Sequence, residues 1–81
     1  MRLKILETLQ KAFPGATIEV IDESHLHEGH SGNIMNGESH FRVIINCNTL
    51  NADPLIKRHR RVHEALKDIM PRIHALSISF R

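Results

Sequence analysis

Ile5, Leu6, Leu9, Ala12 and Phe13 recur at helical spacing, with Lys4, Glu7, Thr8 and Lys11 between them, so residues 2 to 12 are predicted to form an amphipathic helix. Pro14-Gly15 ends it. The run Thr17-Ile18-Glu19-Val20 alternates as a half-buried strand does, and Asp22-Glu23-Ser24 supplies turn-favouring residues. From there to Ser39 the chain is polar and punctuated by Gly29, Gly32 and Gly37, which reads as a long loop. Phe41, Val43 and Ile45 then share one face of a second strand, His40, Arg42 and Ile44 the other, and Asn46-Cys47-Asn48 begins a turn. Asp53-Pro54 is a helix start, with Asp53 as cap and Pro54 at the first helical position. Leu55, His59, Val62, Leu66 and Ile69 form the buried stripe of a helix reaching about Met70, where Pro71 stops it. The last segment alternates again, with His74, Leu76, Ile78 and Phe80 facing one way and Ala75, Ser77 and Ser79 the other.

The order helix, strand, strand, helix, strand predicts an α+β fold with two helices on one face of a three-stranded mixed sheet. Two strands joined directly are expected to be antiparallel, and two joined through a helix parallel, with a right-handed crossover. Strand three then starts at the sheet edge where the long loop re-enters strand two. His74 is thereby predicted to lie beside the loop that carries His25, His27 and His30.

Eighty-one residues make one domain, and chains of this size bury only about 60% of their unfolded surface. Hydrophobic residues at 41% and charged residues at 25% argue against disorder and against a fibrous class. The longest apolar run falls far short of a membrane span, and Met1-Arg2-Leu3-Lys4 leads into an amphipathic pattern, so a soluble, cytoplasmic protein is expected. Cys47 is the only cysteine, which excludes an internal disulfide framework and the four thiolates of an ordinary iron-sulfur site. The net charge of +2 is compatible with nucleic acid but does not require it.

Imidazole is the commonest metal ligand, so His27-Glu28-Gly29-His30 together with His74 forms a candidate half-site, with His27 and His30 alternatives for the loop donor. Lys57, Arg58, Arg60 and Arg61 crowd the start of the long helix, where the dipole disfavours cations, and are candidates for nucleic-acid or anion contact. On the helical wheel Lys57, Arg60 and Arg61 face outward, Glu64 can pair with Arg60 or Arg61, and His59 falls on the buried stripe. Gly29-His30-Ser31-Gly32 matches the Gly-x-x-Gly pattern of KH domains, but it lies between two strands, and the chain has no Trp or Tyr on which bases stack. No hydrolase triad, phosphate-binding loop or nucleophile elbow is present, so an enzyme is not expected.

Asp22-Glu23-Ser24, Glu38-Ser39-His40-Phe41-Arg42-Val43, Arg58-His59-Arg60-Arg61-Val62 and Ile73-His74-Ala75-Leu76 together resemble the BolA-like family over nearly the whole chain. The resemblance implies an αββαβ fold similar to class II KH domains. It also implies a non-enzymatic role as partner of monothiol, CGFS-type glutaredoxins in iron-sulfur cluster handling, with a 2Fe-2S cluster shared with glutaredoxin cysteine and glutathione and none held tightly by the isolated chain. Carried onto this sequence, the cluster ligands are His74 and His27, with His30 competing for the second place. A monomer when alone and a heterodimer in the complex follow. DNA-binding transcriptional regulation is the alternative role, with Lys57, Arg58, Arg60 and Arg61 as the contact residues. The sequence departs from the family pattern at Leu50, Ala52 and Arg61.

Overall fold

In a computed structural model, which describes residues 1–24 and 40–81, three strands, β1 (Thr17–Asp22), β2 (His40–Asn46) and β3 (Ala75–Phe80), pair in the order β1-β2-β3. β1 runs antiparallel to β2, with Val20 opposite Val43. β3 runs parallel to β2, with His40 opposite Ala75 and Ile45 opposite Phe80. The mixed sheet expected from the element order is the one formed.

Helix α1 (Arg2–Ala12) ends on the amide of Phe13, which donates to the Leu9 carbonyl at 2.8 Å. Gly15 then turns the chain with φ +84°, a left-handed conformation that glycine adopts without steric cost. Ile5 and Leu9 of α1 meet Val20 of β1 and Phe41, Val43 and Ile45 of β2 in one buried cluster, which Val62, Leu66, Ile69 and Ile73 complete from the second half of the chain. Leu76, Ile78 and Phe80 pack against it. The alternation in β2 thus sets the sheet's orientation, because a one-residue slip would turn Phe41, Val43 and Ile45 away from the helices.

A short helix, α2 (Asn48–Asn51), occupies the segment read from sequence as a turn. Four residues carry no periodicity to detect; what defines α2 is Leu50, which is wholly buried. Asn51 also ties it to β2 by donating to the Asn46 side-chain oxygen at 3.0 Å.

Helix α3 (Leu55–Ala65) ends five residues earlier than the apolar stripe predicts. Pro71 lacks a backbone donor and disfavours α-helical backbone at Met70. The chain therefore descends through tight turns, with Ile69 donating to Leu66 O at 2.9 Å and Ile73 to Met70 O at 2.9 Å, around a 3-10 turn at Met70–Arg72. Those turns keep Leu66, Ile69 and Ile73 buried without a continuous helix. At the other end Pro54 takes the capping position, its carbonyl accepting from Lys57 and Arg58 at 3.0 and 3.1 Å. Asp53 does not cap with its side chain; its carboxylate accepts from Arg61 Nη1 at 2.9 Å. Leu55, expected on the buried stripe, is 57% exposed. It stands one helical turn before His59, whose ring meets Phe80 edge-on at 5.1 Å, and Phe80 is the last residue of β3.

Candidate functional site

The backbone of Glu23 and His40 fixes the place where β1 ends and β2 begins. The Glu23 amide donates to the His40 carbonyl at 2.8 Å, and the His40 amide donates to the Ser24 hydroxyl at 3.2 Å. Ser24 is itself buried, and its amide donates to the Asp22 carboxylate at 2.9 Å, a local turn of the kind Asp side chains favour. Glu23 reaches across to Arg42, accepting from its Nε at 2.8 Å. The chain therefore leaves the described structure at Ser24 and returns at His40 from one pinned edge of the sheet.

His74 stands at that edge. The parallel register puts Ala75 opposite His40, and the bend before β3 leaves the His74 ring exposed, 5.0 Å from the His40 ring centroid and tilted 51° to it. The sequence placed His74 on the core face with Leu76 and Ile78; it precedes the strand instead, so the alternation does not bind it. His27 and His30, named from sequence as second ligands, lie outside the described residues. His40, placed from sequence on one face of the second strand and not named as a ligand, is the second ring at this edge. Its signal was the register, which puts Ala75 opposite His40 and brings His74, one residue earlier, beside it.

Two imidazoles and no thiolate converge here, and among the described residues no group of three or more His, Cys, Asp or Glu side chains is placed to hold a metal ion. Nitrogen donors suit iron and other transition metals, but two leave most of a coordination sphere to be filled from elsewhere. A metal bound here would need further ligands from outside these two rings. Cys47 adds nothing to it, being buried 7 residues after the start of β2. Its thiol is held below the ordinary value, first by the Thr49 hydroxyl 3.2 Å away, with burial opposing and the backbone of Leu50 and Thr49 and the Arg61 charge assisting.

The basic helix divides into two pairs. Arg58 donates through Nε to the Asp53 carbonyl at 2.7 Å and lies over the Phe80 ring at 5.7 Å. Arg61 binds the Asp53 carboxylate and the Thr49 carbonyl and lies over Phe13 at 5.6 Å. Both therefore brace the approach to α3, and Arg61 does not face outward as the wheel suggested. Glu64 pairs with Lys67 at 3.0 Å rather than with an arginine. Lys57 and Arg60 remain exposed.

A sequence model of the family described as BolA-like protein matches residues 9–81. The chain belongs to the BolA-like family. It is 32% identical over 79 residues to the DNA-binding transcriptional regulator BolA of Escherichia coli, covering 96% of this chain and 71% of that protein. Among solved structures it is similar to BolA1 from Arabidopsis thaliana, with a TM-score of 0.84 at 32% identity, covering 100% of this chain and 89% of that one. It is equally similar to the BolA domain of SufE1 from Arabidopsis thaliana, with a TM-score of 0.83 at 34% identity over 99% of this chain and 88% of that one. The BolA-like fold accordingly accounts for the mixed sheet and its helices, and the family is not known as one of enzymes. No helix among the described residues is long and apolar enough to cross a membrane.

Proposed function

We propose that this BolA-like chain is a non-enzymatic, cytoplasmic partner of a monothiol, CGFS-type glutaredoxin, to whose 2Fe-2S cargo it lends His74 and a second imidazole. That second donor is His27, with His30 as its competitor, and glutaredoxin cysteine and glutathione supply the remaining ligands. Alone the chain is a monomer; the shared cargo makes a heterodimer. The observation that carries the reading is the exposed His74 ring at the edge where Ser24 and His40 bracket residues 25–39. His27 follows Ser24 by three residues in the sequence, a span of at most about 11 Å of extended chain. Imidazole ligation lowers the negative charge on a cluster relative to four thiolates and raises its potential. The chain's own contribution is to hold His74 in place and leave its ring accessible.

Titrating the protein into cluster-loaded glutaredoxin, with visible absorption, circular dichroism and sizing as readouts, tests this. A changed spectrum together with a one-to-one complex is expected; an unchanged spectrum with no complex rejects it.

A second reading has its own support. The Escherichia coli relative is named as a DNA-binding regulator, and Lys57 and Arg60 are exposed on α3. Arg58 and Arg61 are engaged within the fold, which leaves two of the four cations free to meet phosphates. Lys57→Ala and Arg60→Ala should then each lower the salt slope of DNA binding by about one phosphate contact, while Arg61→Ala acts through stability. No dependence on Lys57 and Arg60 removes this reading.

A further inference from the structure

The end of α1 and the outer side of α3 frame a groove whose apolar floor neither reading uses. It is open, about 560 Å3 in volume, and lined by Ala12 and Phe13 on one side and Lys57, Arg60, Arg61, Glu64 and Ala65 on the other. Its floor is apolar and its rim cationic. Arg61 forms a fixed wall, bound to Asp53 at 2.9 Å and stacked over Phe13 at 5.6 Å. Lys57 and Arg60 are exposed and have no ion-pair partner among the described residues, since Glu64 pairs with Lys67. Ile56, 65% exposed, lies one helical turn before Arg60 and extends the apolar surface beyond the rim.

We propose that this groove docks an acidic segment of a partner protein that inserts one apolar side chain onto Ala12, Phe13 and Ala65 and sets carboxylates against Lys57 and Arg60. Three features favour a peptide over a nucleic acid. The Phe13 ring is 5% exposed and carries a guanidinium on one face, which leaves too little of it open for a base to stack across. The Arg61 charge is answered by Asp53, which leaves the two exposed cations Lys57 and Arg60 rather than a continuous basic track for a run of phosphates. An apolar floor needs an apolar occupant, which a phosphate backbone lacks and an acidic-hydrophobic peptide has. The proposal does not rest on the glutaredoxin reading, because it concerns the chain without any cluster.

The probe is a fluorescein-labelled Glu-Glu-Leu-Phe-Glu-Glu peptide with blocked ends, compared with the same peptide carrying Ser-Ser in place of Leu-Phe and with a duplex DNA. Anisotropy gives the affinity and amide chemical shifts of the full chain give the place. The Leu-Phe peptide is expected to bind more tightly than either comparator, with shifts concentrated at Ala12, Phe13, Lys57, Arg60, Glu64 and Ala65. The double variant Lys57→Glu, Arg60→Glu should weaken it roughly tenfold with the melting temperature unchanged, and Glu64→Gln should strengthen it about twofold. Equal binding of the Ser-Ser peptide, tighter binding of DNA, shifts elsewhere or no shifts at all each overturn the proposal. If the charge-reversed variant melts early, the sign of the Glu64→Gln effect decides.

Discussion

Replacing Asp53 with alanine removes the carboxylate that joins the segment before α3 to the middle of that helix. The pair it forms with Arg61 is only partly shielded, the side chains being 38% exposed for Arg61 and 21% for Asp53, so screening keeps its strength near the upper end of the surface range, about 1 kcal/mol. Arg61 would still hold the Thr49 carbonyl and the Phe13 face. Unfolding of an 81-residue chain shifts by roughly 4–8 °C per kcal/mol, so Asp53→Ala should melt about that much lower. Arg61→Ala also loses the stacking on Phe13, worth roughly 0.5–1 kcal/mol, and the packing of its stem, for a total of about 2 kcal/mol. The double variant should then be about 1 kcal/mol more stable than the sum of the single losses predicts. Urea unfolding followed by circular dichroism measures all four species, and 1 M salt should reduce the coupling. Additive losses for Asp53 and Arg61, or a coupling of Arg61 to Glu64 that exceeds its coupling to Asp53, would rule out this ion pair as the link.

Three further perturbations probe other parts of the structure. Leu66→Ala empties a wholly buried position where α3 gives way to turns and should cost about 2–5 kcal/mol in urea unfolding; a loss under 1 kcal/mol would mean that the core does not close there. Gly15→Ala should cost roughly 1–2 kcal/mol from its left-handed backbone alone, because an added Cβ meets nothing within 4 Å; a neutral result would mean that the turn relaxes. The Cys47 thiol, held below its ordinary value of 9.0, binds fewer protons folded than unfolded between the two pKa values. Stability should therefore rise with pH through that window, be fully present above the unfolded value and be lost as pH falls through the folded one, and Cys47→Ser should flatten the profile. An unchanged profile for Cys47→Ser sets the thiol aside.

Much of the fold was legible because each long element repeats its signal. The stripe from Ile5 to Phe13 gave α1 to the residue, and the alternation of Phe41, Val43 and Ile45 gave the buried face of β2. The parallel pairing of β3 followed from the helix between it and β2. Short or end-dependent features were not legible. Leu50 alone marks α2, and one buried residue has no period. The stripe Val62-Leu66-Ile69 is equally consistent with a helix and with successive tight turns, and only Pro71 hinted at the second. Arg61 looked like a surface cation because a helical wheel sees neighbours on its own helix and not Asp53, Thr49 or Phe13 from before it. At the candidate site His74 was reached from topology, whereas the nearness of His40 needed the register itself.

Under the proposed function, His74 donates its imidazole to a metal centre completed by another protein. Pulsed electron paramagnetic resonance on the reduced complex with glutaredoxin, using chain labelled with nitrogen-15 histidine, reads that bond directly. Labelled nitrogen coupled to the cluster in the native chain, with one coupling lost in His74→Ala and the rest retained, is the predicted result. Couplings unchanged by His74→Ala, or no labelled nitrogen at the cluster at all, would contradict it.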